Sequence, residues 1–224
     1  MTIEADRESG RFPPKRCEMP DLHEISGQRA IDFSENRIFV KDGPLKNPQA
    51  LAYVANFARL RDKTVREYKY ARAALEKSAA TRPSKQRPVS ATLEDIYRLL
   101  RDIPLANSLL LQATDHFENC LNALHRTVLF ARRIRRDQGS PQVPRGLTIL
   151  SDAVMSRIST IRNAIEHIEE KIARGEVVDG DIIALTVKSD SIEFRGDEIY
   201  FTELAEWIRE LDCLAGQLST SSSA

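Results

Sequence analysis

Apolar residues recur at helical spacing in several long stretches of the chain and alternate in shorter ones. The first helical stretch opens at Asn47-Pro48, with Asn47 as cap and Pro48 at the first helical position. Leu51, Val54, Ala58, Val65, Tyr68, Ala71 and Leu75 then form one face of a helix that fades near Ala80. Prolines and charges from Thr81 to Ser90 predict a loop. A short helix is expected from Thr92, with Asp95 in its first turn, stopping at Ile103-Pro104. A second long helix, about Ala106 to Asp137, carries Leu110, Ala113, Phe117, Leu121, Leu124, Val128 and Ala131 on one side.

After a Gly- and Pro-containing loop, the third helix has the most regular stripe: Leu147, Leu150, Val154, Ile158, Ile161, Ile165, Ile168 and Ile172. Gly175 ends it. The period then changes. Ile183, Leu185 and Val187, then Ile192 and Phe194, then Ile199 and Phe201 alternate as three strands, with turns at Ser189-Asp190 and Gly196-Asp197. A last helix from Thr202 to about Leu218 buries Leu204, Trp207, Ile208, Leu211 and Leu214.

The pattern predicts a mainly all-α protein, an antiparallel bundle of four to five helices with a small β insertion before the last helix. Residues 1–46 form an N-terminal extension, its first 29 flexible, with a short hairpin between Ala30 and Val40. Residues 47–218 form the bundle, with the β insertion at about 182–201, and 219–224 a disordered tail.

Composition changes this picture little. The 224 residues are 42% hydrophobic and 29% charged, with no apolar run long enough to span a bilayer and no leader pattern at the N-terminus. Cys17, Cys120 and Cys213 have no Cys-x-x-Cys spacing, which argues against a disulfide framework or zinc site and fits the cytoplasm. Net charge is zero but unevenly spread. Ten basic residues face three acidic ones between Phe57 and Ser90, and Arg132-Arg133-Ile134-Arg135-Arg136 adds a second basic cluster. Beyond Ala164 the chain is acidic. Such asymmetry suits a basic groove for nucleic acid, or solvated helix faces. Tyr68, Tyr70 and Arg66 read either as stacking and gripping groups for RNA or as ordinary helix-face residues.

The candidate chemistry is Arg162-Asn163-Ala164-Ile165-Glu166-His167: a permanent cation, an amide, a carboxylate and an imidazole within six residues. On an ideal helix Arg162 and His167 lie about 140° apart, flanking the isoleucine stripe. A capping-box pattern, Asn163 with Glu166, predicts a helix break at Asn163. Arg162-Asn163 and His167 within a helical bundle resemble the HEPN superfamily of RNA-processing proteins. Its signature is an Arg, a polar residue after it, and a His after a short interval.

The resemblance implies a metal-independent endoribonuclease that works as a homodimer on RNA, without a cofactor. The 2′-hydroxyl attacks the adjacent phosphate and leaves a 2′,3′-cyclic phosphate. His167 is then the acid/base, Arg162 the clamp on the developing charge, and Asn163 an orienting group. Defence or toxin–antitoxin contexts, with an antitoxin or regulatory protein as partner, come with the resemblance. His116 and His125 are auxiliary candidates whose spacing favours neither. The competing reading keeps the HEPN-like fold as a catalytically silent interaction module. In the blandest reading Arg162 simply pairs with Glu166, Asn163 caps a kink and His167 sits on the flank. Gly-rich phosphate loops, nucleophile elbows and dinucleotide fingerprints are missing from the sequence.

Overall fold

Helices account for most of the structure, a computed structural model that describes residues 17–26, 39–40, 43–44, 47–81, 93–175, 185–194 and 196–219. The elements in order are β1 (Phe39–Val40), β2 (Gly43–Pro44), α1 (Pro48–Thr81), α2 (Leu93–Arg136), a 3₁₀ turn (Thr148–Leu150), α3 (Asp152–Glu166), α4 (Ile168–Ala173), β3 (Thr186–Val187), β4 (Ser191–Phe194), β5 (Asp197–Tyr200) and α5 (Phe201–Ser219). Among the described residues no helix is long and apolar enough to cross a membrane.

Asn47 starts α1 as its sequence predicts. Its side-chain oxygen accepts the Gln49 amide at 2.9 Å, satisfying an N–H that the first turn leaves orphaned. Helices α1 and α2 pack antiparallel, with Ser78 near the end of α1 donating to the Ala106 carbonyl at 2.8 Å. The long stripes are buried: Val54, Val65, Tyr68, Ala71 and Leu75 on α1, and Ala113, Phe117, Leu121, Leu124, Val128 and Ala131 on α2. Phe117 stacks on Phe201 at 5.3 Å, bringing the start of α5 onto α2.

Pro104 does not stop a helix. The expected short and long helices are one, α2, with Pro104 inside it. Proline removes one helical N–H and leaves the Leu100 carbonyl without its usual donor. Leu100, Ile103 and Pro104 are exposed, so water can serve that carbonyl, and the helix continues into the buried Ala106.

The isoleucine helix shows the opposite departure. Its stripe is interrupted twice, by the 3₁₀ turn before Ser151 and by a break at His167. Ser151 caps α3 by accepting the Val154 amide. The Arg132 guanidinium fastens this corner to α2 through the Leu150 and Ser151 carbonyls, each at 2.8 Å. Beyond the break the stripe leaves the core, since Ile168 is half-buried and Ile172, expected inside, is 56% exposed.

The three-stranded sheet is antiparallel in the order β3-β4-β5, with Ile192 opposite both Val187 and Ile199. Those three side chains are buried. The third strand ends one residue earlier than its alternation suggests, because Phe201 already belongs to α5. Residues 30–38 of the expected N-terminal hairpin lie outside the described residues. Phe39–Val40 pairs antiparallel with Gly43–Pro44.

Residues 17–26, read from sequence as flexible, are packed instead. Met19, Leu22 and Ile25 are buried in the core. Side chains of α1 grip the segment by its backbone: Arg61 donates to the Ser26 carbonyl (2.8 Å), Tyr68 to Pro20 (2.9 Å), Lys69 to Ile25 (2.6 Å) and Arg72 to Met19 (3.2 Å). Arg61 is 1% exposed and also pairs with Asp212 of α5 and, at 2.6 Å, with Asp62.

Candidate functional site

Arg162 lies in the last turns of α3, on the side facing α2. Its Nε donates to the Asn122 side-chain oxygen at 3.2 Å, and a terminal nitrogen donates to Asn163 at 3.4 Å. The other terminal nitrogen pairs with Glu166, one turn ahead. The guanidinium is therefore held from two helices, with about a quarter of the side chain still exposed.

His167 sits at the break itself. It is the C-cap of α3 and its backbone N–H donates to the Asn163 carbonyl at 3.0 Å. The break thus falls at His167 and not at Asn163, whose backbone stays helical. Glu166 explains why the capping box does not form: its carboxylate goes to Arg162. The His167 ring is 56% exposed, with Glu170 3.5 Å from Nδ1. Among the described residues no hydrogen bond joins Arg162 to His167. Both reach solvent around the end of α3, separated by the turn that Glu166 bridges.

The two histidines of α2 separate clearly. His116 faces α1, 2.9 Å from the Glu67 carboxylate and 5.3 Å from the Tyr70 ring. His125 lies one turn beyond Asn122 and is 9% exposed, with an unpartnered Nδ1 among the described residues. Burial, then the Arg162 charge, push its pKa below the usual 6.5, while Glu166 pulls the other way. Burial and the nearby guanidinium thus both favour its neutral form. Asn122 and His125 gain this setting only from α2 packing on α3. The one local signal is a pair of polar residues three apart, Asn122 and His125, either side of Ala123-Leu124.

His125 should leave a mark on stability. Its folded-state pKa is depressed, so between that value and 6.5 the unfolded chain binds more protons. Its contribution is fully present above pH 6.5 and is lost as pH falls through the window below. The Tm of the wild type should drop more steeply than that of His125→Gln as pH is lowered from 6.5. Parallel profiles in a thermal-unfolding series would contradict this placement.

Of the two tyrosines flagged for stacking, Tyr68 is fully buried and committed to Pro20, whereas Tyr70 is half exposed. Of the second basic cluster, Arg132 is committed to the α3 corner and Ile134 is core. Arg133 lies over Tyr53 (6.0 Å) and Phe130 (5.7 Å). Among the described residues no three His, Cys, Asp or Glu side chains gather as a metal site. In comparisons with known proteins, no family model, curated protein or solved structure matches this chain.

Proposed function

We propose that the protein is a metal-independent endoribonuclease of HEPN type, with residues 47–218 as an antiparallel bundle of four to five helices. The observation that carries the reading is the pairing of a fixed Arg162 with an exposed His167 at the end of α3. A guanidinium clamped by Asn122 and Glu166 is oriented before substrate arrives, which is what stabilisation of a phosphorane requires. His167, exposed and at a helix break, is free to reach a sugar hydroxyl.

The reaction needs no outside reactant. The ribose 2′-oxygen loses its proton to a base and bonds to phosphorus. The bond from phosphorus to the 5′-oxygen breaks, and that oxygen takes a proton from an acid. The products are a 2′,3′-cyclic phosphate and a 5′-hydroxyl. One His167 serves one proton transfer, and a two-fold dimer supplies the second. Asn163, beside Arg162, orients the guanidinium.

Purified protein should cut single-stranded RNA in excess EDTA and leave cyclic phosphate ends, read by resistance of those ends to phosphatase until acid opens the ring. Cleavage that disappears on chelation sinks the proposal. The Arg162–Glu166 ion pair favours a second reading, a silent interaction module in which that pair only supports the helix. Exposed pairs of this spacing contribute roughly 0.3–0.5 kcal/mol. In that case RNA would go uncut and Arg162→Ala would cost no more than this.

A further inference from the structure

Among the described residues, several arginines are neutralised. Arg61, Arg72, Arg101, Arg132, Arg157, Arg162 and Arg209 each pair with a carboxylate. The outward face of the α1/α2 hairpin is different. Among the described residues Arg59, Lys63, Arg126, Arg133 and Arg136 are in no ion pair, although the chain as a whole has as many acids as bases.

Four of these cations, joined by Arg66, are in register. On α1, Arg59, Lys63, Arg66 and Tyr70 fall within about 80° of arc, and on α2, Asn122, Arg126, Phe130 and Arg133 within about 100°. The two helices lie side by side, so both arcs form one surface roughly 25 Å long. Aromatic rings are set into it at both ends. Tyr70, 50% exposed, tilts over His116, and Tyr53 meets Phe130 at 6.3 Å beneath the Arg133 guanidinium. Acids are sparse. Glu67 is mostly covered, 2.9 Å from His116 and 4.0 Å from the Arg66 Nε, and Asp115 and Glu118 lie toward the Tyr70 end.

We infer that this face binds a single-stranded nucleic acid, with phosphates on these cations and a base stacked on the exposed Tyr70 ring. Charge alone would suit any polyanion. Tyr70 selects a strand whose bases are free, because a duplex hides their π-faces inside its stack. Asn122, which holds Arg162, belongs to the same α2 arc. A strand on this face therefore runs toward Arg162, and only this last step rests on the ribonuclease reading.

The test uses fluorescein-labelled 2′-O-methyl oligouridine, which has no 2′-hydroxyl to attack, so binding is read by anisotropy whether or not the protein cleaves RNA. Affinity should fall with salt, by a slope of about 0.7 per phosphate contacted. In Arg59→Ala/Arg126→Ala/Arg133→Ala the slope should be shallower by about 2. Tyr70→Ala should weaken binding at least about fivefold at an unchanged slope. All of these positions are at the surface, and unchanged Tm values would show that the variants fold. A deoxyuridine strand binding alike places recognition in phosphate and base rather than in the sugar, which is what this face provides. No binding at low salt overturns the inference. So does a duplex bound as tightly as the single strand, or polyglutamate competing equally, which would mark a site for an acidic protein. If the uncleavable strand binds while RNA stays intact, the surface stands and the nuclease falls.

Discussion

Arg61→Ala is expected to cost about 3–5 kcal/mol of stability, measured as a lower midpoint in urea unfolding. The side chain is 1% exposed and ties α1 to Asp212 of α5, to Asp62 and to the Ser26 carbonyl. Removing it takes a partner from two carboxylates, and at Asp62 desolvation is already felt: burial raises its pKa despite the adjacent guanidinium. Losing the packed stem adds to the penalty. The pairing logic gives a control. Arg61→Met with Asp212→Leu removes both charges from the contact and should recover much of the loss, because an apolar replacement avoids the cost of burying ions. If Arg61→Ala unfolds at the wild-type midpoint, the pair contributes nothing and α5 is held by its apolar face alone.

The second large effect is chemical. His167→Ala should lower single-turnover RNA cleavage by about 10²–10⁴-fold, the usual worth of a positioned acid/base. Arg162→Ala should cost about 10²–10³-fold, like loss of a transition-state charge partner. Because His167 is 56% exposed, its removal should leave the Tm in place and separate chemistry from folding. Full activity in His167→Ala would leave the Arg162 cluster a structural feature only.

Elements that follow from local rules were legible in the chain. Asn47-Pro48 marked the start of α1, and every residue assigned to the α5 stripe is buried, because caps and periodicity act within a turn or two. Pro104 misled because its effect depends on whether the freed carbonyl meets water, which is a tertiary matter. The break at Ser151 was hidden under an unbroken stripe, and the one at His167 was placed four residues early, at Asn163, by a capping-box pattern. A single residue leaving helical geometry hardly disturbs apolar spacing, yet it is enough to turn Ile172 outward.

The packing of residues 17–26 left only Met19, Leu22 and Ile25, three apart, as a trace, and much of what holds the segment is backbone. At the candidate site the sequence supplied Arg162, Asn163 and His167, while Asn122 and the setting of His125 came from the contact between α2 and α3. The exposed basic face was half visible. The positions of its cations could be counted, but which of them lack carboxylate partners could not.

A grip on carbonyl oxygens is indifferent to the side chains those carbonyls belong to. Exposed positions of the 17–26 segment, such as Glu18 and His23, are accordingly free to drift through substitution. Arg61, Tyr68, Lys69 and Arg72 are not, because each must present a donor at a fixed reach. The constraint on how this segment sits is written into α1, far along the chain from the residues it governs.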